Sequence, residues 1–409
     1  MTLPSTTGDT PTAGPIFRKG LGLKQVVAGS LDRDYQSAVV DAIRRSGGQY
    51  TCGRLTVHLP QEFGFCYGVD RAVDYAYQTR ERFPNCNVYL TSEIIHNPQV
   101  NTKLRDVGVR FLSDADASMD NVTASDVVIL PAFGVPVRNL AELQDRGCTI
   151  VDTTCGSVLN VWKNVRRYTR DGFTAVIHGK VEHEETQATA SQALTGNGGR
   201  YLVVLNRDET ELACGAIRGV VPADRFMTRL GRACSPGFDP AVDLERIGLA
   251  NQTTMLMSES LAIGEMLRAA MVERYGIADL DSHYRAFDTI CSATQDRQDA
   301  ILALLDDRTF DLALVIGGYN SSNTKNLARI CTQAAPTYHI ADPSCLVSAE
   351  EIRHRPVDGT ASRPANDEVT TRDWLPASGT VTVAVTSGAS TPDSTVGEVI
   401  QRLSTYIEP

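Results

Sequence analysis

Gly64-Phe65-Cys66-Tyr67-Gly68, Asp152-Thr153-Thr154-Cys155-Gly156-Ser157 and Asp288-Thr289-Ile290-Cys291-Ser292-Ala293 decide how the fold is read. Each cysteine stands where a short β-rich run gives way to a helical pattern, and the three are 89 and 136 residues apart. A junction of one kind used three times predicts three related α/β modules, each presenting one thiol at the start of a helix. The rest of the chain alternates in the same way. NVYLT (87–91), DVVILP (126–131), FTAVIHG (173–179), DLALVIGG (311–318) and TVTVAVTSG (380–388) read as strands. Helical patterns follow near 68–82, 137–146, 158–170, 258–274, 294–306, 322–333 and 393–404. Such alternation predicts α/β units around mostly parallel sheets. We expect an N-terminal tail and extension over 1–52, with an amphipathic helix around 35–44. Three α/β domains then follow over 53–154, 155–287 and 288–409. Residues 192–246 read as an insertion in the second, and the Pro-, Asp- and Thr-rich 354–378 as a surface excursion of the third.

A helix start carries unsatisfied N–H groups and roughly half a positive charge, which should lower the pKa of a cysteine placed there. Three such thiols suit a metal centre. Zinc usually takes ligands from close sequence pairs, and this chain has no C-x-x-C. A cubane iron–sulfur cluster normally takes four thiolates; with three, one iron is left open to substrate. The competing reading, three structural cysteines under helix starts, is equally compatible with the spacing.

Polar clusters follow four strand patterns, where open α/β sheets bind ligands. They are 93–98, with His96; 178–186, with His183 and Glu185; 317–324; and 386–393. The stretches Asn320-Ser321-Ser322-Asn323 and Ser387-Gly388-Ala389-Ser390 offer hydroxyl, amide and backbone donors for phosphate oxygens. Helix capping explains one serine per helix but not that consecutive run. His96 and His183 lie beside strand ends and carboxylates, whereas His58, His283, His339 and His354 read as structural. Glu185 is a candidate general acid. Neither G-x-G-x-x-G nor G-x-x-x-x-G-K-[ST] occurs, which argues against a dinucleotide or Walker site.

The 409 residues carry a formal net charge of -10, which disfavours a nucleic-acid partner bound through a broad basic face. No apolar run reaches the ~20 residues that span a bilayer. The start, MTLPSTTGDTPTAGPIF, lacks a basic and apolar leader, reads as a disordered tail and does not support plastid import. The expectation is a cytoplasmic bacterial protein, with its ten cysteines free of disulfides.

At these residues the chain resembles the 4-hydroxy-3-methylbut-2-enyl diphosphate reductase family of the non-mevalonate isoprenoid pathway, in the long form of cyanobacteria and plastids. The matching segments are FRKGLG (17–22), FGFCYGVDRAV (63–73), EIIHNPQVN (93–101), LPAFGVPV (130–137), VDTTC (151–155), IHGKVEHEETQATAS (177–191), GLANQTTML (248–256), TICSATQDRQDAI (289–301), GGYNSSNT (317–324) and VTSGASTPD (385–393). They fall in the family's order and cover nearly everything after residue 16. The resemblance implies a pseudo-threefold trefoil of three α/β domains around a central [4Fe–4S] cluster held by Cys66, Cys155 and Cys291, with one iron open. It implies that His96, His183, Ser321, Ser322, Asn323 and Ser390 bind the diphosphate, that Glu185 is the proton source and that Thr253 lies near it. The implied reaction is reductive dehydroxylation of an allylic diphosphate to isopentenyl and dimethylallyl diphosphate, with ferredoxin or flavodoxin as electron donor.

Two positions depart from the family pattern. Phe133 stands where the shorter bacterial form has a histidine, as it does in the long form generally. Gly156-Ser157 replaces the usual proline after the cysteine, which predicts a looser entry to that helix. The alternatives are an iron–sulfur lyase or hydratase, which needs no electron donor, and a divergent paralogue that only binds diphosphate or senses redox state. Joint retention of His183, Glu185 and Thr253 speaks against a mere binder.

Overall fold

The computed structural model describes residues 14–115, 117–196, 198–287, 289–357 and 367–407. It is a mixed α/β structure with three main sheets, parallel except for one edge pair. The first runs in the order Ile16–Phe17, Thr149–Asp152, Val127–Leu130, Val88–Leu90, Val109–Phe111. The second is Tyr284–Ala286, Ile247–Asn251, Thr174–His178, Tyr201–Val204. The third is Thr337–Ile340, Leu312–Ile316, Val381–Ser387, Leu55–His58, Gln49–Cys52, the last two antiparallel. Central strands such as Val127–Leu130 and Leu312–Ile316 are buried at every residue. That is why they read as unbroken apolar runs: helices cover both faces of a parallel sheet. Each of those aliphatic side chains contributes about 1.5–3 kcal/mol of burial.

The three cysteine junctions are crossovers between sheets. Leu55–His58 belongs to the third sheet, and the chain then passes Cys66 into helix Tyr67–Arg82. That helix packs Val69, Val73 and Ala76 against Val88, Leu90 and Ile129 of the first sheet. Thr149–Asp152 of the first sheet leads through Cys155 into Gly156–Arg170, whose Val161, Val165 and Tyr168 pack on Ala175 and Ala250 of the second. Tyr284–Ala286 of the second leads towards Cys291 and Ser292–Asp307, whose Ile301 packs with Ala313 and Ala384 of the third. Each thiol therefore sits where one sheet hands the chain to the next, and the handovers form a closed cycle.

Several expectations are redrawn by pairing between distant segments. Gln49–Cys52 and Leu55–His58 straddle the expected boundary at 52/53 and join the C-terminal strand Val381–Ser387, not the sheet of Val88–Leu90. The stretch 192–246 supplies Tyr201–Val204, an edge strand of the second sheet, and helices Arg207–Ile217 and Ala223–Leu230 packed on it. The helix expected around 35–44 is two helices, Lys24–Tyr35 and Ala38–Arg45. They break at Gln36-Ser37 because the Ser37 hydroxyl caps the second by accepting from the Val40 N–H. Within 354–378, Glu351–His354 and Val369–Arg372 form an antiparallel ribbon, and residues 358–366 lie outside the described residues. Of the expected N-terminal tail, residues 1–13 also lie outside them, while Ile16–Phe17 pairs in parallel with Ile150–Val151. Among the described residues no helix is long and apolar enough to cross a membrane.

Candidate active site

One hydrogen bond recurs at all three cysteines. The N–H of Cys66 donates to Ala389 O (3.2 Å), that of Cys155 to Ala132 O (2.8 Å) and that of Cys291 to Thr253 O (3.3 Å). Each acceptor lies two residues beyond the strand that pairs with the one the chain has just left: Val381–Ser387, Val127–Leu130 and Ile247–Asn251. Each cysteine is then the N-cap of its helix. The same local geometry thus aims three thiols from three directions. Buried or half-buried arginines tie the junctions together. Arg71 donates to Thr153 O and Thr154 O beside Cys155, and Arg297, on the Cys291 helix, donates to Gly64 O beside Cys66. The Arg71 contacts, with the Cys155 N–H bond, hold the Gly156-Ser157 entry without a proline.

A single cavity gathers most of the residues singled out from the sequence. Cys66, Cys155, His96, His183, Glu185, Thr253, Ser321, Ser322, Asn323 and Ser390 line it, together with Phe133. Cys291 is not on that lining; it joins through its N–H bond to Thr253. The helix starts do not lower the thiol pKa values as expected. Burial dominates, raising Cys66 and pushing Cys291 up to about 11 although Thr294 offers it an N–H and a hydroxyl. The Cys66 and Cys291 thiols therefore stay neutral until a bound cation favours deprotonation.

The spacing of the thiols bears on which metal they fit. Tetrahedral zinc at ~2.3 Å from each sulfur places thiolates under about 4 Å apart. Among the described residues, the only three such ligand atoms mutually within 4.8 Å come from His96, His183 and Glu184. At least two of the three sulfurs therefore stand more than 4.8 Å apart, too wide to share one ion with the third but open to a polynuclear cluster. Gly68 leaves room between them: a Cβ there would lie 2.6 Å from Cys155 Sγ and 3.9 Å from Cys66 Sγ. An all-sulfur donor set, wide spacing and a cradle kept open by glycine fit an iron–sulfur cluster.

The histidines are not arranged as metal ligands. His183 caps helix Glu184–Ala193, its Nδ1 accepting from the Glu185 N–H at 3.2 Å. Burial, with His96, Lys180 and Lys325 nearby, holds its pKa well below the usual value, so the ring is neutral and its one proton sits on Nε2. That N–H donates to His96 Nε2 at 3.2 Å, which leaves the His96 proton on Nδ1, facing Glu93 Oε2 at 3.0 Å. The His96 ring stacks on Phe133 with centroids 5.0 Å apart. The lone pair a metal needs on His183 Nε2 is taken up by a proton.

Glu185 is 3% exposed. Thr253 holds both its oxygens, the N–H donating to Oε1 at 2.6 Å and the hydroxyl to Oε2 at 3.0 Å. Burial outweighs these donors and pushes the carboxyl up to about 7. The protonated form is therefore held far more firmly than in an ordinary exposed carboxyl. Donors gather elsewhere on the cavity lining. Ser321 Oγ accepts from the Thr324 N–H, so its own proton is free. Asn323 Oδ1 accepts from the Ala389 N–H, while its buried Nδ2 has no partner among the described residues. Ser390 donates to His96 O at 3.3 Å. A buried amide N–H₂ without an acceptor costs about 1–3 kcal/mol and calls for an anionic or polar ligand.

Arg71, Arg297 and Lys180 were not singled out from the sequence. The available signal for the arginines is an Arg about one and a half turns after a junction cysteine. Lys180 lies within the 178–186 cluster but reads there as an ordinary surface lysine.

Similarity to known proteins covers the same span. The LytB protein family matches residues 57–404. A 4-hydroxy-3-methylbut-2-enyl diphosphate reductase of Synechococcus sp. (strain CC9311) is 48% identical over 389 residues, 94% of each chain. One from Picosynechococcus sp. (strain ATCC 27264 / PCC 7002 / PR-6) is 44% identical over 391 residues, covering 95% of this chain and 93% of that one. A solved (E)-4-hydroxy-3-methyl-but-2-enyl diphosphate reductase, described as the terminal enzyme of the non-mevalonate pathway, superposes with a TM-score of 0.50 at 25% identity, covering 85% of this chain and 99% of the other. The Plasmodium falciparum E-1-hydroxy-2-methyl-but-2-enyl-4-diphosphate reductase shares the fold, with a TM-score of 0.59 at 20% identity over 84% and 86% of the two chains.

Proposed function

The chain belongs to the LytB protein family, and on that premise we propose that it is an oxidoreductase that converts 4-hydroxy-3-methylbut-2-enyl diphosphate into isopentenyl and dimethylallyl diphosphate. The observation that carries the reading is one cavity lined by thiols, by a buried carboxyl of raised pKa and by unspent anion donors. Overall, two electrons and two protons replace the allylic hydroxyl with hydrogen and release water.

Cys66, Cys155 and Cys291 would hold a [4Fe–4S] cluster, which supplies electrons one at a time and Lewis acidity at an iron without a cysteine. The protein's own groups do the rest. Ser321, Ser322, Asn323 and Ser390 anchor the diphosphate through hydroxyl and amide donors. His183 and His96 face it from the neighbouring loops, and Phe133 closes the wall behind His96. Glu185, held by Thr253, delivers the proton that lets the hydroxyl leave as water. Because Thr253 also accepts the Cys291 N–H, the proton donor and one cluster ligand move as a unit. The electron donor is a small redox protein of the ferredoxin or flavodoxin class.

Gly68→Ala should cut the iron retained by anaerobically purified protein several-fold without unfolding it, because the new methyl displaces the Cys155 sulfur. Iron analysis alongside circular dichroism checks this. The function itself is tested by anaerobic turnover of 4-hydroxy-3-methylbut-2-enyl diphosphate with a chemical reductant. Reductant-dependent formation of the two five-carbon diphosphates is expected. Dehydration without reductant consumption would favour the lyase reading, and no turnover by cluster-loaded protein would refute the assignment.

A further inference from the structure

Behind Ser322, outside the cavity lining, stands Lys180. Its Nζ donates to Ser322 Oγ at 3.1 Å, and Gln252 Nε2 donates to the same oxygen at 3.4 Å. The Gln252 amide cannot turn round. Its Oε1 accepts from the Lys180 backbone N–H and from the Thr186 hydroxyl, both at 3.1 Å. A serine hydroxyl has two acceptor sites and one proton. With both acceptor sites filled from behind, the proton has only the cavity side left, where Ser321 and Asn323 Nδ2 also present unspent donors.

The charge around Lys180 points the same way. The charges bearing on it are Arg355 and Arg329, and those bearing on Lys325 are Lys180 and Arg355, all cations. Arg329 is drawn off by Glu259 at 3.8 Å, and Arg355 donates to Tyr319 O at 2.7 Å. Burial, and after it these neighbouring cations, hold both ammonium groups below their usual pKa, Lys325 at about 7. A nearby polyanion relieves that arrangement.

We propose that Lys180 is a positioning residue of the anion site: its ammonium commits the Ser322 hydroxyl as a donor to the diphosphate and supplies positive charge behind it. This rests on the reading of the cavity as a diphosphate site. Lys180 acts through Ser322 and does not touch the reacting carbon.

The test uses cluster-loaded protein, inorganic pyrophosphate as the binding probe, and steady-state turnover. Lys180→Met keeps the apolar stem and removes the charge. It should weaken pyrophosphate binding by calorimetry about 30-fold and raise KM to match, with kcat within about twofold, as loss of a charge-assisted hydrogen bond predicts. Lys180→Arg should recover most of the affinity. In a double-mutant cycle with Ser322→Ala the two losses should be strongly non-additive, which mere packing damage would not produce. Pyrophosphate binding as tight as wild type in Lys180→Met, or additive losses in the cycle, would overturn the proposal. Should Lys180→Met not fold, Lys180→Gln carries the same comparison. Wild-type protein whose pyrophosphate affinity depends on Lys180 but which turns nothing over would refute the proposed reaction and leave this assignment standing.

Discussion

Glu185→Gln should lower kcat by about 10²–10³-fold while leaving iron content and pyrophosphate affinity near wild type, the range expected when a positioned general acid is lost. The amide is isosteric and can still accept the Thr253 N–H, so the local structure survives; what disappears is a proton that can be given away. The wild-type pH profile checks the same point. Burial pushes the Glu185 carboxyl up to about 7. The donor is the protonated form, so kcat should be flat below that value and fall about tenfold per pH unit above it. The linkage to stability has the same sign. The folded state binds this proton more tightly than the unfolded one, whose carboxyl titrates near 4.5. Glu185's contribution is therefore fully present below about 4.5 and lost as pH rises through about 7. Glu185→Gln should flatten that decline in a pH series of thermal melts. A variant with wild-type kcat would remove Glu185 from the mechanism.

Cys291→Ser should be the other severe change, abolishing visible absorbance above 350 nm and lowering turnover by roughly 10³-fold or more, as expected when a cluster ligand is removed. The serine oxygen is harder and its proton far less acidic, so it does not replace a thiolate. Cys291 is the informative choice because, of the three proposed ligands, it is the one that does not line the cavity. Its effect cannot be put down to a lost substrate contact. Cys331→Ser provides the comparison: that thiol is fully buried in the apolar cluster around Ile301 and Leu327, so it should lose stability and keep its absorbance. Equal loss of absorbance in both variants would contradict the assignment.

The legible parts of the fold are those whose reasons are local. Leu312–Ile316 and Val381–Ser387 announce themselves as β-branched and aliphatic runs, and the helices after each cysteine begin within two residues of the expected positions. Sheet membership was not legible. Leu55–His58 finds its partner more than 300 residues away, and nothing in LTVH specifies Val381–Ala384 over another strand. Tyr201–Val204 was hidden among Gly and Arg residues that read as loop.

In the site, chemistry-bearing types stood out: cysteine at a junction, serine and asparagine in runs, histidine beside carboxylate. Lys180, Arg71 and Arg297 did not, because long cations are usually solvated, and their roles depend on carbonyls and hydroxyls brought from other modules. The expected acidity of the thiols was a local argument too, from helix starts, and it lost to a non-local one, desolvation by three packed modules.

The central claim is that thiols from three sheet-to-sheet crossovers surround one polynuclear centre. Iron and acid-labile sulfide analysis of anaerobically purified protein tests it most directly. About four of each per chain are predicted, as a single cubane requires. Stoichiometric zinc with neither iron nor sulfide would contradict the account.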